Sequence, residues 1–274
     1  MESQQKLTLS IAGSGNVGSF LATELFNAGF TIRQIYSRTL ANAEMLALKV
    51  KAQAVDSSTL ITDNIDLLVI ALPDNIIPIF CEELSKSQPA SSLKIATTAG
   101  SVSLNEIKRY FDNCGVIYPL QSITKITRPD VKSIPFCLEG TNELIKSLLV
   151  RIASAITDDI RDINSEQRLL IHLAAVFASN FTNHLIAIAD DIISKGGIDR
   201  NILWPLINET VSRLKNNNPL DIQTGPAKRN DTETMAKHME LIRKIETESI
   251  GSIYKIISNN IAIMSTSVNN SSAE

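Results

Sequence analysis

LTLSIAGSGNVGSFLATEL, residues 7–25, decides the fold. The apolar run over residues 6–12 predicts a buried strand, and residues 19–28 have helical spacing. Between them Gly13, Gly15 and Gly18 form G-x-G-x-x-G in the strand–turn–helix setting that gives this spacing its meaning. Gly13 makes the tight turn, Gly15 lets a pyrophosphate approach the backbone, and Gly18 lets the helix pack closely on the strand. The helix start, with Ser14, Asn16 and Val17 between the glycines, offers free N–H groups and a partial positive charge to phosphates. The alternative is a tight turn that holds no ligand.

Working outward, residues 31–36 predict a second strand, ending in IYSRT. NAD-binding folds usually place an acid at this strand end to hold the ribose 2′-OH. None stands here. Ser37, Arg38 and Thr39 instead suit a 2′-phosphate, with a charge-assisted contact from Arg38, so NADP is expected over NAD. A helix follows over 40–51. Residues 65–72, IDLLVIAL, read as a strand buried on both faces. Further strands are expected at 94–98, 116–118, 134–138 and 159–163, with a helix over 142–157. This alternation predicts an α/β chain with a doubly wound parallel sheet. Leu72 and Pro73, then Thr98 and Gly100, follow strand ends, where a ligand crevice opens in such sheets. Small residues there leave room for a flat nicotinamide ring. Gln121, in YPLQS at 118–122, suits a carboxamide or a substrate oxygen.

Composition sets the outer limits. A length of 274 residues suggests two domains, and 44% hydrophobic residues is enough for real cores. A net charge of −3 excludes a generic electrostatic nucleic-acid binder. No apolar run is expected to reach the roughly 18–20 residues of a membrane span, and the N-terminus lacks a secretory pattern. Cys81, Cys114 and Cys137 are odd in number, without C-x-x-C, and the histidines are His172, His184 and His238. A disulfide scaffold and a metal site are therefore not expected, and a reducing cytoplasm is. The expected division is a dinucleotide-binding domain over 1–163, an all-α domain over 164–264, and an unstructured polar tail over 265–274.

In the helical half, residues 165–195 read as one long apolar helix, ending at Gly196-Gly197. A second is expected over 199–216, and a third from 231 to 264 with Asn230 and Glu233 as its capping box. At about 100° per residue, His172, Ser179 and Asn183 fall within about 40° of one another, with Asn180 about 80° off that line. The stripe is a candidate face for a cleft between domains, or a set of helix–helix hydrogen bonds. Arg229 and His238 follow the Gly225-Pro226 turn, placed either for an anionic substrate group or for an ion pair. Helices apolar on more than one face, as in Ile250, Ile253, Ile256 and Ile257, predict a homodimer joined through this domain.

GSGNVG, IYSRT and LLVIALPD followed by a helical domain resemble the superfamily of pyrroline-5-carboxylate reductase and 6-phosphogluconate dehydrogenase-like enzymes. YPLQS, IPFCLEG (134–140), HLAAVFASNFTNHL (172–185) and QTGPAKRND (223–231) resemble more closely a bacterial two-domain family. That family joins a Rossmann-like domain to a domain of unknown function of the 2520 type. The resemblance implies an NADP oxidoreductase, often dimeric through its helices, acting on a small carbonyl or imine between the domains. In the wider superfamily it also implies a deazaflavin–NADP hydride shuttle. β-Hydroxyacid dehydrogenases and ketopantoate reductases carry Lys-x-x-x-Asn on the first long helix, but this chain has no lysine between Lys146 and Lys195. That mechanism does not carry over. Asn180 and Asn183 remain substrate-site candidates, and His172 becomes the first candidate proton donor, with His238 second. The missing lysine also leaves open a non-catalytic NADP-binding sensor or scaffold.

Overall fold

The computed structural model describes residues 6–124, 130–245 and 248–271. The chain divides into two compact units, residues 1–179 and 180–274. The boundary falls inside the long helical stretch expected over 165–195, not at its start.

In the first unit, β1 (Thr8–Ala12), α1 (Asn16–Asn27), β2 (Thr31–Tyr36), α2 (Leu40–Val50) and β3 (Gln53–Val55) lead to β4 (Leu67–Ile70), every residue of which is buried. Then come α3 (Ile77–Ser85), β5 (Ile95–Thr97), α4 (Leu104–Lys108), β6 (Cys114–Pro119), β7 (Phe136–Gly140), α5 (Glu143–Ser154) and β8 (Ile160–Asp162). One sheet of eight strands results, in the order β3-β2-β1-β4-β5-β6-β7-β8. Every neighbouring pair is parallel except β6–β7. The strand order reverses at β1 while β2, β1 and β4 all run parallel, so the carboxyl ends of β1 and β4 flank the switch point where such sheets bind ligands. Two buried apolar clusters cover the sheet, one around Leu9, Ile35 and Leu149, the other around Ile70, Phe80 and Phe111.

The helical stretch has three parts. An α-helix, α6 (Ser165–Ala175), passes into a π-helical segment, Val176–Phe181, and then into α7 (Thr182–Lys195). α6 starts on a capping box: Asn164 accepts from Gln167 N–H, and the Gln167 side chain accepts from Asn164 N–H. Ser165–Lys195 is also apolar and long enough to cross a membrane, with mean hydropathy 1.4 over its window, contrary to the expectation of no such run. Polar side chains interrupt it, and on α6 they are tied to the sheet, as described below.

The second unit carries α8 (Trp204–Leu214), α9 (Thr232–Ile245) and α10 (Glu248–Ser271). The single helix expected over 231–264 is thus two helices. Asn230 does not cap α9; it adopts φ +52°, and Asp231 instead accepts from Thr234 N–H at 3.0 Å and Thr234 O–H at 2.8 Å. The polar tail expected from 265 differs too, because α10 continues to Ser271. That stretch has no Gly or Pro to stop a helix once begun.

Candidate active site

The glycine turn sits at the carboxyl end of β1. Gly13 has φ +125°, and a Cβ there would lie 2.2 Å from Ala71 O in the segment leaving β4. A Cβ on Gly18 would lie 2.0 Å from Gly13 O. Both positions need glycine for the turn itself. Gly15 differs: a Cβ there meets nothing within 4 Å among the described residues. It is exposed and is the N-cap of α1, with no side-chain cap. Among the described residues the start of α1 is therefore left open and uncapped, which is the geometry an anion needs. Ser14 and Asn16 border a cavity of about 520 Å³ along α1. Val17 is half-buried against the core.

Ser37, Arg38 and Thr39 leave β2 beside this turn, since Gly13 N–H donates to Tyr36 O at 2.8 Å. Ser37 N–H is bonded to Val55 O, while Arg38 and Thr39 are exposed. Burial pushes the Tyr36 phenol above its usual range; Glu83 adds to this and Arg38 opposes it. Leu72 is half-buried and Pro73 exposed, with Pro73 O accepting from Ile76 N–H. Asp74 then reaches across to the β5–α4 loop, where Ser101 donates both its N–H and its hydroxyl to one carboxylate oxygen. Thr98 N–H is bonded to Ile70 O at 3.0 Å.

Gly100 has a different surrounding from the one its smallness suggested. A Cβ there would lie 2.5 Å from Nδ1 of His172 and 2.7 Å from its Cγ. The room before Gly100 is filled by the imidazole. His172 comes from α6, and its Nδ1 is 3.1 Å from the Tyr118 hydroxyl on β6. The rings meet edge-on, with centroids 6.0 Å apart. Burial raises the Tyr118 phenol pKa, and the Cys137 and Asp74 side chains add to it.

One turn before His172 on the same helix face stands Arg168, 1% exposed. It pairs with Glu139 of β7, donates to Val102 O at 2.7 Å and to Ser165 Oγ at 3.2 Å, and keeps a buried Nε without a partner among the described residues. Ser165 Oγ also donates to Glu139 at 2.8 Å and accepts from Leu104 N–H at 3.0 Å. This buried network fixes α6 to the rim and thereby sets where His172 stands. The opposite face of α6 leaves Leu169, Leu170 and Leu173 exposed.

Of the proposed polar stripe, His172 and Ser179 both meet the segment that ends β6. Ser179 bonds the hydroxyl of Ser122 at 2.7 Å, next to the exposed Gln121, whose side chain accepts from Ser122 N–H. A uniform 100° per residue does not describe that stripe, because the π-helical segment winds more slowly between the two. Asn180, Asn183, Arg229 and His238 belong to the second unit and are exposed there. His238 Nδ1 is 2.8 Å from the Tyr254 hydroxyl, which ties α9 to α10. Tyr118, Arg168 and Glu139 were not singled out as site residues from the sequence. The one available signal was an arginine within an apolar helix.

Residues 8–100 match the family described as NADP oxidoreductase, coenzyme F420-dependent, and residues 134–261 match a domain of unknown function (DUF2520). No curated protein matches the chain. A solved structure from Bacteroides fragilis, described as a "putative NADP oxidoreductase", is 31% identical, covers 94% of this chain and 98% of its own, and superposes with a TM-score of 0.87. A Thermotoga maritima protein is 24% identical over 93% of this chain and 99% of its own, with a TM-score of 0.72. A reductive aminase from Aspergillus terreus, solved with NADPH and ethyl-5-oxohexanoate, shares the fold at 13% identity, with a TM-score of 0.72 over 97% of this chain and 99% of its own.

Proposed function

The chain belongs to the family of that Bacteroides fragilis protein, and from this premise we propose that it is an NADP(H)-dependent oxidoreductase reducing a small carbonyl or imine. The observation that carries the reading is the space before Gly15, open among the described residues, at an uncapped helix start beside Ser37, Arg38 and Thr39. Gly13 and Gly18 are explained by the turn alone, whereas Gly15 is explained by a ligand. The α/β part is the cofactor-binding domain and the helical part joins two copies. When bound, NADPH supplies a hydride. The first turn of α1 holds its pyrophosphate, Arg38 with the flanking hydroxyls holds the 2′-phosphate, and the rim formed by Leu72, Pro73 and Thr98 borders the nicotinamide. Gln121 and Ser179 orient substrate, and a group on the same rim must give up one proton for each hydride accepted.

The test is calorimetric. Wild type should bind NADPH, and a folded Gly15→Val should not, because its branched side chain fills the space the pyrophosphate needs. NADPH binding to a folded Gly15→Val returns GSGNVG to the status of a structural turn. Turnover of NADPH with 2-oxo acids and cyclic imines separates an enzyme from a non-catalytic NADP sensor.

A further inference from the structure

We propose that Tyr118 is the group that delivers the proton to substrate, with His172 holding its hydroxyl and resupplying it. This rests on the oxidoreductase reading above and deepens it, because it replaces His172 as the direct donor. Two observations carry it. First, Nδ1 of His172 is already occupied: Gly100 packs against it and Tyr118 Oη lies 3.1 Å from it. A substrate atom at that nitrogen would need the place one of them holds. Second, Tyr118 is half-buried at the carboxyl end of β6, whereas His172 comes from a helix anchored through Arg168. Strand ends form the ligand crevice in a parallel sheet, so the phenol is the member of the pair delivered to it.

The proton inventory closes. In the tautomer with hydrogen on Nδ1, the imidazole donates to Tyr118 Oη and leaves the phenol O–H free for substrate. As the substrate carbon gains its hydride from the reduced nicotinamide, the π electron pair of C=O or C=N takes the proton from Oη. The phenolate is reprotonated from Nδ1 while Nε2 takes a proton from solvent; the relay then resets, as Oη takes a solvent proton, passes its own to Nδ1 and Nε2 releases one, which restores the Nδ1 tautomer. The imidazole ends neutral, and solvent is the net proton source. Tyr118 is then the catalytic residue and His172 a positioning residue. Gly100 acts through His172, since a methyl group there would displace the ring.

The experiment uses the full chain with NADPH and a panel of 1-pyrroline, 1-pyrroline-2-carboxylate, pyruvate and cyclohexanone. Wild type, Tyr118→Phe and His172→Asn are compared for kcat, NADPH affinity and melting temperature. Nitrogen-15 spectra of the wild-type histidines supply a readout that needs no turnover. Tyr118→Phe should lose about a hundredfold to ten-thousandfold in kcat with NADPH affinity unchanged. His172→Asn, which keeps an N–H donor toward Oη, should lose less. The wild-type spectrum should show His172 protonated on Nδ1. A Tyr118→Phe enzyme with near wild-type kcat overturns the assignment while the oxidoreductase reading stands, and so does a His172→Asn variant at least as impaired. His172 protonated only on Nε2 overturns it as well, even where Tyr118→Phe fails to fold, because the phenol hydrogen is then committed to the imidazole. Wild type that binds NADPH and reduces none of the panel removes both readings together.

Discussion

Arg38 is exposed at the end of β2, where an acid would otherwise select a free ribose hydroxyl. A phosphate held there exchanges water for a charge-assisted contact worth about 1.5–3 kcal/mol. Arg38→Ala should therefore weaken NADPH about tenfold to over a hundredfold and leave NADH unchanged in parallel titrations. Equal affinities for the two cofactors in wild type would sink this assignment. Glu139 presents the opposite situation, a carboxylate facing a buried guanidinium. Removing one member of such a pair leaves an uncompensated charge, so Glu139→Ala should cost about 3–5 kcal/mol in denaturant unfolding. The cysteines are quiet by burial, which pushes the Cys81 thiol up to about 12 and Cys114 to about 11. Neither should react with a thiol reagent at neutral pH until the protein unfolds. Glycine spacing was legible because the motif is local. The Tyr118–His172 and Arg168–Glu139 contacts were not, since 54 and 29 residues separate the partners and no periodicity links them.

Among the elements, β2 matches the expected span of residues 31–36, and β4 is the buried core of IDLLVIAL. β4 was legible because a strand covered on both faces must be apolar throughout, and β2 because its apolar Ile32, Ile35 and Tyr36 lie buried between the exposed Thr31 and the turn after Tyr36. β3 and α4 escaped reading because three and five residues carry too little pattern. The π-helical segment escaped for another reason: VFASNF has an ordinary helical composition, and slower winding leaves no mark in it. Caps were partly legible. Asn164 and Gln167 form a full capping box that the sequence reading had not singled out, whereas the box expected at Asn230 gave way to Asp231. Because α6 sets the position of His172, its start matters to the site. Asn164→Ala should lower stability by about 1 kcal/mol in thermal melts. A change within error would mean that Arg168 alone holds the helix.

At the scale of the whole molecule, the second unit has almost no interior of its own. Among its described residues the buried apolar side chains are Ala227 and Ile242, whereas Ile202, Leu206, Val211, Ile256 and Ile263 are 62–69% exposed. Isolated exposed leucines and isoleucines are ordinary on a protein surface. A unit in which Ile242 alone among the described large aliphatic residues is buried is not, because each one buried would contribute about 1.5–3 kcal/mol. Contiguous exposed apolar surface marks an interface or an aggregation risk. A second copy is the partner that carries the same surface, and a two-fold arrangement lets each copy cover the other with identical patches. The expected outcome is twice the mass of the 274-residue chain by light scattering at micromolar concentration. Leu206→Asp combined with Ile256→Asp, on α8 and α10, should shift that mass toward one chain, since a charge buried in an apolar interface goes unpaired. The α/β unit supplies the internal control: NADPH binding to the double variant tells dissociation apart from unfolding. A wild-type mass of one chain at micromolar concentration would refute the dimer and leave the exposed helical faces needing a different partner.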